Sequence, residues 1–210
     1  MKIAAIIPAY NEQASIRRVI HALQRVEAID EVVVVNDAST DRTAEVVAEE
    51  YGVILVNLKE NVGKGGALKA GLEATTADVL VLLDADLIGL KVEHVEALLG
   101  PVANGHADAT MGVFKEGRGM TDLAQLIAPK LSGQRAIKRE FLEKADIADT
   151  RYGVEVALNR YLEDTNAITE EVELHQLTHH TKEEKLGFFR GLQARAQMYY
   201  EVAKILIGRE

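Results

Sequence analysis

Two aspartates separated by one alanine end an apolar run in the segment Leu83–Asp86. A hydrophobic strand that ends in two carboxylates must either expose them to water or pair them with a cation. Mg²⁺ and Mn²⁺ prefer oxygen ligands, so a divalent ion bound to a diphosphate would satisfy the carboxylates and the phosphates together. Because neighbouring strand residues point alternately to opposite faces, Asp84 and Asp86 can serve one site only where the strand turns over. A solvated turn is the alternative for this motif alone.

A glycine-rich segment with one lysine, Asn61–Gly66, directly precedes a predicted helix. Glycines let a backbone approach a phosphate closely, and a helix N-terminus carries partial positive charge. The segment is not a Walker A loop, because that spacing and its Lys-Ser/Thr pair are absent. Lys64 is therefore a candidate phosphate contact, and the alternative is an ordinary turn with a solvated lysine.

A third polar cluster, Val35–Asp41, follows a run of valines. Asp37 stands at the predicted strand end, where its carboxylate can accept hydrogen bonds from a nucleotide base or a ribose hydroxyl. Asp41 is more simply explained as part of a helix cap, because Asp side chains accept hydrogen bonds from the free N–H groups of a first turn.

The first hundred residues alternate strands and helices. Apolar runs predict strands over Lys2–Pro8, Glu31–Asn36, Val53–Asn57 and Asp78–Leu83. Apolar spacings of three and four predict helices over Glu12–Val26, after Ser39–Asp41, and over Gly65–Ala74. This alternation predicts an α/β fold with a mostly parallel sheet flanked by helices, whose ligands bind beyond the carboxyl ends of the strands. Each polar cluster follows one of these strands.

Beyond residue 100 the alternation weakens. The patterns predict an edge strand over Asp108–Phe114, helices over Thr121–Leu131 and Gly153–Leu162, a tight polar turn over Ser132–Ala136, and a strand over Ile168–Thr178. An apolar stripe in Lys182–Ile207 predicts a C-terminal helix that packs on the core, forms a homodimer or lies on lipid. The simplest division is one domain over residues 1–181, in two halves that meet near residue 100, followed by this helix.

Composition excludes several classes of partner. The net charge of −9 argues against nucleic acid, whose phosphates require clustered lysine and arginine. The chain has no cysteine, which removes disulfides and zinc–thiolate sites. No apolar run approaches the length of a transmembrane helix, so we expect a cytoplasmic protein, or one peripheral to the inner face of a membrane.

Taken in order, four segments resemble the family 2 inverting glycosyltransferases: Ile7–Glu12, Asn36–Asp41, Asn61–Gly65 and Leu83–Asp86. The similarity covers roughly the first ninety residues, in the order and spacing of the family. Asn36 stands where many members carry Asp, whereas Asp37 is kept. The resemblance implies a Rossmann-like GT-A fold, a nucleotide-diphosphate sugar (UDP- or GDP-sugar) as donor, and Mg²⁺ or Mn²⁺ as cofactor.

The resemblance also implies roles for individual residues. The implied donor-binding residues are Pro8, Ala9, Tyr10, Glu12, Asp37, Lys64 and Asp84. Asp86 is expected to be a direct metal ligand and a catalytic residue. Leu174–Lys182 is similar to the stretch in which close relatives place a metal-binding histidine, and spacing favours His179, with His180 next.

The acceptor side is implied by two later segments. Leu131–Ala136 is similar to the acceptor-lining segment, which makes Gly133 and Arg135 acceptor-binding candidates. Arg151–Glu155 is similar to an element whose Glu approaches the acceptor, so Glu155 is a candidate general base. A phosphate acceptor would need little base, and Glu155 would then position groups. Relatives that transfer to polyprenyl phosphates or to 3-phosphoglycerate share these features.

A basic region inside this acidic chain, Lys115, Arg118, Arg135 and Lys138, indicates an anionic acceptor, a small molecule or a lipid phosphate. Solvated loop charges are the alternative. Two other functions fit part of the pattern. A sugar-phosphate nucleotidyltransferase usually carries a glycine-rich basic loop after its first strand, where this chain has Pro8–Glu12. A non-catalytic nucleotide-sugar-binding module would not need Asp84, Asp86 and Glu155.

Overall fold

The computed structural model describes residues 1–115, 132–148, 150 and 153–179, which form nine strands and six helices. The strands are β1 (Ile3–Ala9), β2 (Glu31–Asn36), β3 (Val53–Asn57), β4 (Val79–Leu82), β5 (Leu87–Ile88), β6 (Ala109–Lys115), β7 (Arg135–Lys138), β8 (Thr169–His175) and β9 (Thr178–His179). The helices are α1 (Ile16–Leu23), α2 (Thr43–Ala48), α3 (Gly63–Glu73), α4 (Val92–Ala103), α5 (Arg139–Lys144) and α6 (Val154–Asp164). Within these ranges, no helix combines the length and apolar character that crossing a bilayer requires. Arg118 and the helices predicted at Thr121–Leu131 and Lys182–Ile207 lie outside the described residues.

Seven strands form one sheet in the order β3-β2-β1-β4-β7-β6-β8, and β5 and β9 form a separate two-stranded sheet. β7 runs antiparallel to both of its neighbours, and every other neighbouring pair in the large sheet is parallel. The chain moves outward from β1 to β3 and then returns to β4 on the other side of β1. The switch point, where ligands bind in such sheets, therefore lies at the carboxyl ends of β1 and β4.

Helices cover both faces of the large sheet. Val32 and Val34 of β2 face the core shared with α1, α2 and α4, whereas Val33 and Val35 face the core shared with α3, α5 and α6. A strand buried on both faces has no polar alternation, which explains the run of four valines. α1 buries the residues whose spacing predicted its inner face: Ile16, Val19, Ile20 and Leu23. The predicted mixed, mostly parallel α/β fold is confirmed.

Two predictions for the second half of the chain are wrong. The strand predicted over Asp108–Phe114 is β6, but it lies between β7 and β8, so β8 takes the edge of the sheet. The polar turn predicted over Ser132–Ala136 is shorter, because Arg135 and Ala136 already pair with β4 in β7. The pattern of apolar residues shows which faces of a strand are buried, whereas the strands that pair with it depend on distant segments of the chain. The sequence pattern also did not predict β7 as a strand.

Candidate active site

The two aspartates after β4 lie where the strand has ended. β4 stops at Leu82, and the chain turns through Ala85 and Asp86 before β5 begins. The residues that flank the aspartates are buried at 1%, 4% and 1% exposure: Leu83, Ala85 and Leu87. These apolar residues anchor the turn, and Asp84 and Asp86 between them remain partly exposed. The turn that a site shared by both aspartates would require is present in the structure.

Lys64 lies at the centre of a charge cluster at this strand end. Its Nζ is 2.6 Å from Asp84 Oδ1 and 2.6 Å from Glu155 Oε1. Burial alone would lower the pKa of Lys64, but the charges of Asp84 and Glu155 outweigh burial and raise the pKa above its ordinary value. Lys64 is therefore a cation at neutral pH, and it links the turn after β4 to the helix α6.

Glu155 reaches this cluster from the first turn of α6. The turn before the helix requires Gly153, whose φ of 102° lies in the region that favours glycine. A carboxylate in a first turn is stabilised by the free N–H groups and positive end of the helix. The Glu155 side chain is 17% exposed, so it borders solvent at the mouth of the sheet.

The segment before β7 packs directly against Lys64 and Asp84. A Cβ added to Gly133 would lie 2.4 Å from Lys64 Nζ and 2.8 Å from Asp84 Oδ2. The next residue, Gln134, donates a hydrogen bond from Nε2 to Asp84 Oδ2 at 2.7 Å. Gly133, predicted to contact the acceptor, therefore also provides the space that the Lys64–Asp84 pair occupies.

This close approach predicts the effect of one added methyl group. Gly133→Ala should displace the Lys64 ammonium, and a misplacement of about 1 Å in an active site costs about 10²-fold in turnover. Steady-state kinetics of the sugar transfer that the family resemblance implies would measure the loss. Gly100→Ala on α4 is the matched control, because a Cβ there meets nothing within 4 Å apart from its neighbours in the chain; it should keep full activity. Equal turnover by the two variants would contradict the crowding argument.

Asp37 lies at the end of β2 and is 4% exposed. Its carboxylate accepts hydrogen bonds from Val62 N at 2.8 Å and Gly63 N at 2.9 Å, so it caps the start of α3. Each carboxylate oxygen keeps a further lone pair for a ligand. Asp37 thus has a structural role at the start of α3 besides its predicted contact with a nucleotide.

Several backbone N–H groups of the glycine-rich segment bond within the protein, and the contact of this segment with a phosphate stays a prediction. Besides the two N–H groups taken by Asp37, Gly65 N donates to Thr150 O at 3.3 Å. A Cβ on Gly65 would clash with the carbonyl oxygen of Ile147, so this glycine permits close packing of α3 against Ile147 and Thr150. Lys64 alone carries the segment's charge to the site.

The segment after β1 lies beside the end of β2. Pro8 and Ala9 pair with Val35 and Asn36, and Ala9 O accepts a hydrogen bond from Asp37 N at 2.9 Å. Tyr10 is 48% exposed and follows the strand directly. Glu12 begins the turn into α1, and its backbone N–H donates to Thr43 Oγ1 at 2.8 Å. The parallel strands thus bring the predicted base- and ribose-binding residues to one edge.

Asn11 and Asp41 stabilise this edge. Asn11, whose φ is 58°, accepts a hydrogen bond from Thr40 N on Oδ1 at 2.8 Å. Asp41 accepts hydrogen bonds from Thr43 N at 2.9 Å and Gln13 N at 3.1 Å. The helix-cap interpretation of Asp41 is confirmed.

The predicted basic loop is wrong for three of its four members, because Lys115 ends strand β6, and Arg135 and Lys138 belong to strand β7. Lys138 Nζ is paired with Asp108 Oδ1 at 2.6 Å. Arg135 is 1% exposed, and its Nε donates to Ser132 O at 3.1 Å. Burial lowers the pKa of Arg135 to about 10, against the opposing charge of Glu155, so it remains a cation at neutral pH.

The residues at the β4 end fit a divalent cation. Asp84 and Asp86 supply the hard oxygen ligands that Mg²⁺ and Mn²⁺ prefer. The backbone of His179 in β9 pairs with Leu87, the residue after Asp86, so the fold brings the predicted metal-binding position next to the aspartates. Within the described residues, no group of three or more His, Cys, Asp and Glu side chains forms a complete metal site. His179 stays a predicted ligand of such a cation.

Comparison with known proteins identifies the family. Residues 4–162 match the family described as glycosyl transferase family 2. The chain belongs to this family. The match extends past Glu155, so the first hundred residues and the segment around β7 and α6 both lie within it.

Two relatives and one solved structure of this glycosyltransferase family are similar to the chain. Glucosyl-3-phosphoglycerate synthase of Mycobacterium tuberculosis is 31% identical over 194 residues, which cover 74% of this chain and 59% of the relative. Undecaprenyl-phosphate 4-deoxy-4-formamido-L-arabinose transferase of Sodalis glossinidius is 39% identical over 95 residues, which cover 41% of this chain and 29% of the relative. The chain thus spans less than two thirds of the length of both relatives.

The solved structure is the mycobacterial synthase in complex with Mn²⁺, UDP-glucose and phosphoglyceric acid. It superposes with a TM-score of 0.80 at 26% identity and covers 99% of this chain and 79% of that chain. This similarity confirms the GT-A fold expected for a family 2 glycosyltransferase.

Proposed function

We propose that this chain transfers a sugar from a UDP- or GDP-sugar to a phosphate-bearing acceptor, by a single displacement that inverts the anomeric carbon and depends on Mg²⁺ or Mn²⁺. The observation that carries the proposal is the Lys64 cluster. One ammonium lies 2.6 Å from a carboxylate on the donor side, Asp84, and 2.6 Å from a carboxylate on the acceptor side, Glu155. A sugar that passes between donor and acceptor would cross this point.

The donor would lie along the carboxyl ends of β1, β2 and β4. Asp37 and the Pro8–Glu12 segment border the base and ribose side, and Lys64 and Asp84 border the diphosphate side. A bound Mg²⁺ or Mn²⁺, held by Asp86 and by His179, would neutralise the charge of the diphosphate leaving group. Lys64 adds a fixed positive charge at the same end, where negative charge grows as the sugar leaves.

The acceptor would lie on the side of β7 and α6. Within the described residues, Arg135 Nη1 is a buried N–H group without a hydrogen-bond partner. Leaving such a group unpaired costs about 1–3 kcal/mol, and more when it is charged, so a fold that retains it is suited to an incoming anion. A phosphate-bearing acceptor supplies that anion, as does the phosphoglyceric acid that the mycobacterial synthase binds.

The role of Glu155 depends on the acceptor group. If the nucleophile is a hydroxyl, Glu155 would accept its proton as the bond to the sugar forms. If the nucleophile is a phosphate oxygen, the second ionisation near pH 6 leaves little proton to remove. Glu155 would then hold Lys64 and the acceptor in place. Glu155 would therefore act as a general base for a hydroxyl acceptor and as a positioning group for a phosphate acceptor.

Product analysis tests the proposal. The protein would first be screened by thermal shift against UDP, GDP and their sugars, with Mn²⁺ and with EDTA, and then incubated with the stabilising donor and with anionic or neutral acceptors. We expect Mn²⁺-dependent stabilisation and release of nucleoside diphosphate that anionic acceptors accelerate. Release of pyrophosphate would indicate a nucleotidyltransferase. Binding without turnover of any donor would indicate a binding module, and either result would overturn the proposal.

A further inference from the structure

Gln134 is a buried amide that points at the donor-side carboxylate. It precedes β7 and is 1% exposed. Its Nε2 lies 2.7 Å from Asp84 Oδ2, a short hydrogen bond between an amide and a carboxylate. Hydrogen bonds to an ionised acceptor are roughly twice as strong as neutral ones. Gln134 therefore holds the oxygen of Asp84 that Lys64 does not hold.

Ser132 determines which end of the amide faces Asp84. Its Oγ accepts a hydrogen bond from Gln134 N at 3.3 Å and donates its only proton to Gln134 Oε1 at 3.0 Å. Since Oε1 is occupied by that proton, the amide must turn Nε2 towards Asp84. The opposite orientation would place Oε1 against the carboxylate and leave the serine proton facing an N–H group.

The backbone of Gln134 is fixed as well. Its carbonyl accepts a hydrogen bond from Gly112 N of β6 at 2.8 Å, and a Cβ on Gly112 would lie 3.3 Å from Gln134 Cβ. The backbone of Gln134 is thus held by two neighbouring strands, because it leads into β7 and bonds to β6. Lys64 and Gln134 approach Asp84 from different elements, and together they restrict the rotation of its carboxylate about the side-chain bond.

From these contacts we infer that Gln134 is a positioning residue, which acts through Asp84 to align the donor site for a nucleotide diphosphate and its cation. The inference rests on the proposed function. Neighbours that orient a metal-site ligand typically affect affinity or activity by 10–100-fold. Gln134 would act on the donor and leave the acceptor side unchanged.

Two variants of nearly the same size test this role. Gln134→Met removes the N–H donor, and Gln134→Glu replaces it with an oxygen that repels Asp84 at neutral pH. Isothermal titration calorimetry would measure the affinity for UDP or GDP, whichever the wild-type protein binds, with MnCl₂ and with EDTA. We expect the gain in affinity that Mn²⁺ provides to fall about tenfold or more in both variants, and further in Gln134→Glu. The KM for the acceptor should stay within about twofold.

Two controls separate this role from a general effect on folding. Ser132→Ala leaves Gln134 in place but frees its amide, so it should produce a smaller loss with the same dependence on Mn²⁺. Circular dichroism and Tm would show whether each variant folds. If Gln134→Met does not fold, Gln134→Glu still tests the role, because its side chain is polar and has nearly the same shape as glutamine. Mn²⁺-dependent affinity within twofold of the wild type in a folded variant would overturn the inference. If the wild-type protein binds neither diphosphate, the proposed function fails instead.

Discussion

Asp86→Ala is expected to abolish measurable sugar transfer while the protein stays folded. Asp86 is partly exposed in the turn after β4, so its side chain adds little to the core that the buried residues around it build. A cation at a leaving group contributes several kcal/mol of transition-state stabilisation, and each 1.36 kcal/mol is tenfold in rate. The loss should therefore be about 10³-fold or more.

Transfer kinetics, Mn²⁺-dependent nucleotide binding and Tm would be measured on the same preparation. Asp164→Ala at the end of α6 is the matched control, because that side chain is 71% exposed and distant in the chain from both aspartates. It should behave as the wild type does. EDTA should reduce the wild-type donor affinity to that of Asp86→Ala, and added Mn²⁺ should restore only the wild type. Turnover like that of the wild type in Asp86→Ala would exclude Asp86 as a metal ligand.

Lys64→Met should lose both activity and stability, the second largest effect that we expect. Removing one preorganised group that stabilises transition-state charge costs about 10²–10³-fold in turnover. The substitution also leaves Asp84 and Glu155 facing each other without the ammonium that lies 2.6 Å from each of them. Removing one partner of a buried ion pair costs up to about 3–5 kcal/mol, and the partial exposure of these side chains reduces the expected cost to about 1–3 kcal/mol.

Denaturant unfolding would separate the two losses. Lys64→Met/Glu155→Gln removes the repulsion, so it should recover most of the stability and none of the activity. Lys69→Met, on an exposed position of the same helix, is the control and should retain both. Because the fold raises the pKa of Lys64, its contribution to stability is complete below its ordinary value of 10.5 and is lost only as the pH rises through the higher folded value. The stability difference between wild type and Lys64→Met should therefore not decline between pH 7 and pH 9.

Much of the donor side could be predicted because its signals are local. A run of valines buried on both faces predicts a central strand, and a polar residue at its end marks the carboxyl edge of a parallel sheet. Asn36 and Asp37 after β2, and Asp84 after β4, follow this rule without further information. The strand limits Glu31–Asn36 and Val53–Asn57 are confirmed to the residue.

Other features depended on segments distant in the sequence. Lys64 and Glu155 are 91 residues apart, and Gln134 and Asp84 are 50 apart. α4 was not predicted, although it buries Val95 and Leu98 against the sheet. The glycines around Lys64 indicated a phosphate contact, but only the tertiary structure shows that Asp37 and Thr150 accept hydrogen bonds from three N–H groups of this segment. The spacing of residues in the sequence cannot show which hydrogen-bond acceptor a backbone N–H group will contact in the folded protein.

The periodicity of apolar residues was therefore enough to establish an α/β chain with two carboxylates at the end of its fourth strand, because burial and strand alternation act over a few neighbouring residues. Tertiary structure alone inserted the antiparallel strand β7 between β4 and β6, and with it placed Gly133 and Gln134 against Lys64 and Asp84. The physical reason is that strand order and the pairing of buried charges are settled by the free energy of the whole packed sheet, to which residues far apart in the chain contribute together.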